Sequence, residues 1–202
     1  MKRILISLPI SLALMFSLPA LADIAPDVLA RNTTNEVVSI VKKDPDLRKG
    51  NSQKVDALVQ EKILPHFDFQ QMTKMAVARN WNKATPEQQT QLVNEFRTML
   101  VHTYAASISS VADYQINFKP LKMTPGETDV TVNTEVTRPG SAPITIDYRM
   151  EKQNSSWKVY DVLVDSVSLV TNYRSSFNSE VRRAGIDGLI QALARRNKQT
   201  AN

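Results

Sequence analysis

Residues 161–181 read DVLVDSVSLVTNYRSSFNSEV, and the repeat of their apolar positions changes partway along. The stretch completes SWKVYDVLV, which reads as a strand. From Leu169 the apolar residues fall four apart, at Leu169, Tyr173, Phe177 and Val181, which is a helical repeat. The spacing predicts a helix opening near Ser166 or Ser168, since either hydroxyl suits a cap. A chain that leaves a sheet here and enters a helix belongs to the α+β class.

Upstream, three more segments alternate. Tyr114, Ile116 and Phe118 are interleaved with polar residues, as are Val130, Val132 and Val136, and then Ile144, Ile146, Tyr148 and Met150. TPGETD and RPGSAP supply turns between them. This predicts about four antiparallel strands over residues 112–165, one face covered by helices. On the fourth strand two sets compete for the covered face: Trp157, Val159 and Leu163, or Tyr160, Val162 and Val164. The second set faces in if Asp161 and Asp165 point outward. Downstream, C-terminal helices are expected over 167–197, interrupted at Gly185, with Ile186, Leu189, Ile190 and Leu193 on one side of the last.

The region before the sheet is helical. Pro26 suits a first turn, and Asp44-Pro45 stops that helix. A second runs from Ser52 to Leu64 and ends at Pro65. A third follows in HFDFQQMTKMAVARNW. Thr85-Pro86-Glu87-Gln88 then combines a Thr cap, an early Pro and a Gln placed for a capping box. It opens a long helix striped by Leu92, Phe96, Met99, Leu100 and Tyr104.

The first 22 residues form no part of this domain. Lys2 and Arg3 precede an apolar run, and Ala20-Leu21-Ala22 is an A-x-A cleavage site, so a signal peptide is expected, cleaved after Ala22. Residues 23–202 would then form one exported domain, placed in the periplasm by its short bacterial-type leader. The absence of cysteine rules out disulfides and thiolate chemistry. Removing Lys2 and Arg3 lowers the formal charge of +5 by two. The remaining excess suits an anionic surface or plain solubility. Its scattered cations argue against nucleic acid.

Chemistry-bearing patterns are sparse. The two histidines, His66 and His102, lack metal-ligand spacing, so no metal and no cofactor are expected. Asp161 and Asp165 would stand about 13 Å apart along a strand. Cooperating carboxylates lie roughly 5–9.5 Å apart. The two aspartates read better as braces than as catalysts, and no catalytic residue is assigned. Met72, Met75, Met99, Met123 and Met150 accompany aromatic residues on the apolar faces. Methionine adapts to variable apolar ligands, although the same side chains also make an ordinary core.

Residues 63–105, ILPHFDFQQMTKMAVARNWNKATPEQQTQLVNEFRTMLVHTYA, and residues 157–193, closing on GIDGLI, resemble the MlaC family, also called Ttg2-type toluene-tolerance auxiliary proteins. The resemblance spans roughly residues 50–195. One position departs from it: Ser166 stands where the family's D-G-V-S-L pattern has Gly, so a positive φ there would strain the serine.

The resemblance implies an NTF2-like curved sheet wrapped by helices around a deep apolar pocket. It implies a monomeric periplasmic phospholipid carrier. The carrier would work between an outer-membrane lipoprotein–porin complex and an inner-membrane ABC transporter with an MCE-domain ring, maintaining outer-membrane lipid asymmetry. Exposing two 16-carbon tails to water costs roughly 25 kcal/mol, at about 0.8 kcal/mol per methylene, so such a carrier must enclose the tails and needs no reaction. The pocket lining follows from periodicity. Phe69, Met72, Met75, Phe96, Met99, Leu100, Tyr104 and Tyr173 are expected from the helices. Ile116, Phe118, Val130, Val132, Ile144, Ile146, Tyr148, Val162 and Val164 are expected from the sheet. Two other readings stay open: an NTF2-like isomerase or dehydratase, which needs Asp161, Asp147 or His102 inside the pocket, and a solvent-efflux adaptor.

Overall fold

The computed structural model describes residues 24–200. The expected signal peptide and its cleavage site lie outside these residues. Helix α1, Pro26–Lys43, begins on its proline and buries Val37 and Val41. The Asp44 carboxylate accepts from the backbone N–H groups of Asp46 and Leu47, which starts the short α2, Pro45–Arg48. Asn51 caps α3, Ser52–Leu58, in the same manner.

The helix expected to run on to Leu64 instead widens at Val59. Residues Val59–Ile63 form a π-turn, closed by the Leu64 N–H on the Val59 carbonyl, and Leu64–His66 form a 3₁₀ turn. Pro65 lacks the N–H that continued α-helix requires. The chain then touches the sheet, where Asp68 N–H donates to the Val159 carbonyl at 2.8 Å. The Asp68 carboxylate also caps α4, Phe69–Val77. After a 3₁₀ stretch, Ala78–Lys83, the capping box forms as expected. Thr85 and Gln88 exchange side-chain-to-backbone hydrogen bonds at the start of α5, Pro86–Ser110.

Five antiparallel strands follow in simple order: β1 Gln115–Phe118, β2 Asp129–Thr137, β3 Ile144–Gln153, β4 Ser156–Val164 and β5 Val167–Ser168. The sheet is open and curved, and the molecule is α+β. β5 replaces the helix start expected at Ser166 or Ser168. Asp165 and Ser166 both take positive φ, +46° and +68°. This is the turn that matches the twist of a tight hairpin. The Asp165 carboxylate accepts from Thr145 N–H at 2.8 Å, and Asp165 N–H donates to the Thr145 carbonyl at 3.0 Å. The Ser168 hydroxyl oxygen accepts from Thr171 N–H where a 3₁₀ turn, Thr171–Tyr173, begins. Helix α6 therefore starts at Arg174. It runs to Thr200 with a kink at Gly185, whose φ is +71°.

One irregularity settles the competition on β4. Arg149 pairs with Asp161 but Met150 pairs with Val159, so Tyr160 is an extra residue, a β-bulge. Before the bulge Trp157 and Val159 share the face of Met150. Beyond it, Val162 and Val164 share the face of Tyr148 and Ile146. Both sets reach the same side, except Tyr160 and Leu163. Tyr160 donates to the Asp129 carboxylate and lies under the Arg149 guanidinium, among residues of the opposite face.

Candidate functional site

Side chains paired across β1 to β4 define one apolar face. Phe118, Thr134, Ile146 and Val164 form one row, Val132, Tyr148 and Val162 a second, and Ile116, Val136 and Ile144 a third. Thr134 is the polar member, and its hydroxyl is spent on the Ile146 carbonyl. The opposite face carries Thr131, Asn133, Asp147 and Arg149, a polar set that explains the alternation in the sequence.

The buried apolar residues divide into three clusters. One is helical, built on Phe96, Met99, Leu100, Met72 and Phe177 from α4, α5 and α6. Phe96 meets both Tyr173 and Phe177 edge-on, with ring centroids 5.4 Å and 5.2 Å apart. A second joins α1, α2 and α3 to the far half of α5 through Val41, Leu47 and Val55, with Val101 and Ile108 against them. The third is the sheet's own, Val130, Val132, Met150, Trp157 and Val159, covered by Leu29 and Ala30 of α1 and by Phe67. An ordinary domain has one continuous core.

The apolar face is consequently graded. Its Val130–Met150–Trp157 end is sealed. At the other end Ile116, Val136, Ile144, Ile146 and Val164 belong to none of the three clusters, and all but Val136 stay half-buried. Val167, next in line on β5, is 56% exposed. Together they make a continuous strip of aliphatic side chains that belongs to none of the three clusters and ends at an exposed valine.

The expected lining residues are distributed over this arrangement. Phe96, Met99, Leu100 and Met72 are buried within the helical cluster, with Phe69, Met75, Tyr104 and Tyr173 half-buried against it. Val130 and Val132 lie in the sealed part of the sheet, and Phe118, Tyr148 and Val162 along its border. Ile116, Ile144, Ile146 and Val164 make the strip outside the clusters. Sequence reasoning put Val136 on the apolar side of its strand but left it out of the expected lining, and it missed Val167 altogether. The alternation of β2 was enough to find Val136, whereas Val167 depends on the unforeseen hairpin.

Electrostatics on this face are quiet. Tyr148 keeps accessible surface, yet burial, with Asp147 adding to it, pushes its phenol up to about 12. Burial and the neighbouring Tyr173 likewise push Tyr104 up to about 12. At the β1 edge the Arg31 guanidinium lies 4.9 Å over the Phe118 ring.

The acidic and imidazole groups stand elsewhere. Asp161 and Asp147 are on the opposite face. Asp161 is fully buried there, with Oδ1 accepting from Val170 N–H at 3.4 Å and Oδ2 without a partner among the described residues. Asp165 is exposed in its turn. His102 borders a small polar recess of about 110 Å³ with Asp56, Gln60 and Arg97. A shallower recess of about 360 Å³ lies at the end of α4 among Lys74, Met75, Ala78, Arg79 and Trp81. Arg174 donates twice to the Met75 carbonyl beside it. Among the described residues no group of three acidic or histidine side chains is placed to hold a metal ion.

Comparison with known proteins places this arrangement. The family model described as MlaC protein matches residues 31–195. The chain is 20% identical over 184 residues to the intermembrane phospholipid transport system binding protein MlaC of Haemophilus influenzae, covering 90% of this chain and 86% of that one. It is 24% identical over 173 residues to the toluene tolerance protein ttg2D of Pseudomonas putida, covering 85% and 80%. A solved phospholipid-binding protein from Ralstonia solanacearum, in complex with a phospholipid, superposes with a TM-score of 0.80 at 38% identity. That match covers 87% of this chain and 98% of the solved one.

Proposed function

Because the chain belongs to the MlaC family, we propose that it is a periplasmic carrier of phospholipid. It encloses the acyl tails between the loosely covered half of its sheet and the helices, and leaves the headgroup in water. The observation that carries this reading is the strip of Ile116, Ile144, Ile146 and Val164, which no cluster covers and which ends at the exposed Val167. Burying a chain of methylenes there returns about 0.8 kcal/mol for each one removed from water. The phospholipid held by the Ralstonia protein of the same fold supports the same ligand class.

The transport role follows from chemistry as well as kinship. The tail-binding face carries aliphatic groups, a spent threonine and a tyrosine, and the carboxylates that an isomerase or dehydratase needs are on the other side of the sheet. Loading and release then depend on differential affinity for two membrane-bound partners. In this reading the donors and acceptors are an outer-membrane lipoprotein–porin complex and an inner-membrane MCE-domain ABC transporter. Lipid asymmetry of the outer membrane is the outcome. The test is organic extraction of protein purified from native envelopes, followed by mass spectrometry, and repeated after incubation of stripped protein with phospholipid vesicles. Diacyl phospholipid is expected in stoichiometric amount. Protein that leaves both preparations without lipid would refute the reading.

A further inference from the structure

Tyr148 is out of character with the face it stands on. It lies in the middle of β3, paired with Val132 on one side and Val162 on the other, with Ile146 and Met150 two residues away along the strand. All four are apolar. Its hydroxyl makes no hydrogen bond with any described residue, although it sits deep enough for burial to dominate its titration. Asp147, its acidic neighbour in the chain, belongs to the opposite face and pairs there with Asn133 and Leu163. Thr134, the other hydroxyl in the middle of this face, is already satisfied by the Ile146 carbonyl. The hydroxyl is not fully enclosed by protein, so it stays open to a partner that the protein does not itself supply.

The position narrows what that partner is. Tyr148 marks the border between the sealed end of the face and the strip that no cluster includes. Whatever meets its hydroxyl arrives with an apolar body covering that strip. Hydrocarbon offers no acceptor. In a diacyl glycerophospholipid the acceptors nearest the hydrocarbon are the two ester carbonyl oxygens at the roots of the tails. The phosphate is a further step away and is strongly hydrated.

We infer that the Tyr148 hydroxyl donates a hydrogen bond to an ester carbonyl of the bound lipid, which makes Tyr148 a residue that selects ester-linked over ether-linked glycerophospholipids. The inference rests on the carrier reading above, and it adds a register to it. The glycerol backbone sits at the Tyr148 border, with at least one tail along Ile146, Ile144 and Val164. Headgroup chemistry plays no part in this contact, so the selection acts on the linkage alone.

Water-soluble short-chain phosphatidylcholine and its diether analogue, identical except at the two linkages, provide the test. Each is titrated calorimetrically into lipid-stripped protein and into Tyr148→Phe, which removes the hydroxyl and keeps the ring. The natural protein should bind the diester about three- to tenfold more tightly. Tyr148→Phe should bind the diether at least as well as the natural protein does and should show no preference. Equal binding of diester and diether by the natural protein overturns the inference on its own, with no dependence on how the variant folds. A preference that survives in Tyr148→Phe overturns the assignment to this residue. Binding of neither lipid by the natural protein sinks the carrier reading, and this inference with it.

Discussion

Ser166 carries a left-handed backbone, φ +68°, in a turn whose other central residue, Asp165, is also left-handed. Side chains resist this region and glycine does not. Two bonds between Asp165 and Thr145 hold the turn in place, so the strain is sustained from outside. Ser166→Gly should therefore raise stability by about 1 kcal/mol in urea unfolding, with an unchanged denaturant slope. A midpoint that stays put or falls would contradict the assignment of strain to this serine. Three of the five tyrosines make a second prediction at this scale. Tyr104, Tyr148 and Tyr160 are raised from the ordinary 10.0 to about 12, each first by burial, and Tyr160 also by its bond to Asp129. Below pH 10 both the folded and unfolded chains keep these protons, and the contribution to stability is whole. Between 10 and 12 the unfolded chain ionises first, so stability declines as pH rises and the contribution is gone above about 12. Phenolate absorbance and far-ultraviolet circular dichroism, followed together against pH, should show these three groups titrating late and with the onset of unfolding. Full titration near pH 10 with the fold intact would refute their burial.

Among the elements, what could be read from sequence was what is encoded locally. The capping box at Thr85 and Gln88 needs only residues three apart, and it forms where expected. The strands β1 to β3 announce themselves because one face is apolar and the other wet. The fifth strand stayed hidden because its turn is Asp-Ser, where a tight hairpin usually shows Asn-Gly or Asp-Gly. The bulge at Tyr160 was equally silent, since an extra residue on one strand shows only against its partner. For the face proposed to bind lipid, periodicity selected the sheet rows and the apolar side of α5. It says nothing about what lies opposite that side, and so cannot separate a residue that packs on α6 from one that meets a ligand. The kink in α6 is the element-scale counterpart of Ser166, with the residue types reversed. Gly185 sits at φ +71°, and a Cβ there would meet no atom within 4 Å. Gly185→Ala should cost about 1 kcal/mol through the backbone alone. An unchanged thermal midpoint would mean that α6 straightens without penalty.

At the scale of the whole molecule, the apolar residues are shared among three clusters, and one stretch of sheet is left with none. The bulge is what keeps the uncovered stretch aliphatic from one end of β4 to the other. It resets the parity of the strand, so that a run containing two aspartates can line a greasy surface with neither of them. The same device makes Tyr160 the one residue β4 carries in excess of its partner. Loss of Tyr160, with register held by Trp157 and Val159, would leave Arg149 opposite Asp161 and Tyr148 opposite Val162 on a regular ladder, so each side chain after it keeps its side of the sheet. A shortened chain that still folds should therefore bind lipid in the calorimeter as the full chain does, having lost the bond from Tyr160 to Asp129. Loss of binding in a folded protein would show that the faces depend on the bulge and not on the count of residues. In a regular strand of the present length, both aspartates would stand on the apolar side. Whether that side is water-repellent or lined with charge is thus decided by counting, before any side chain is changed.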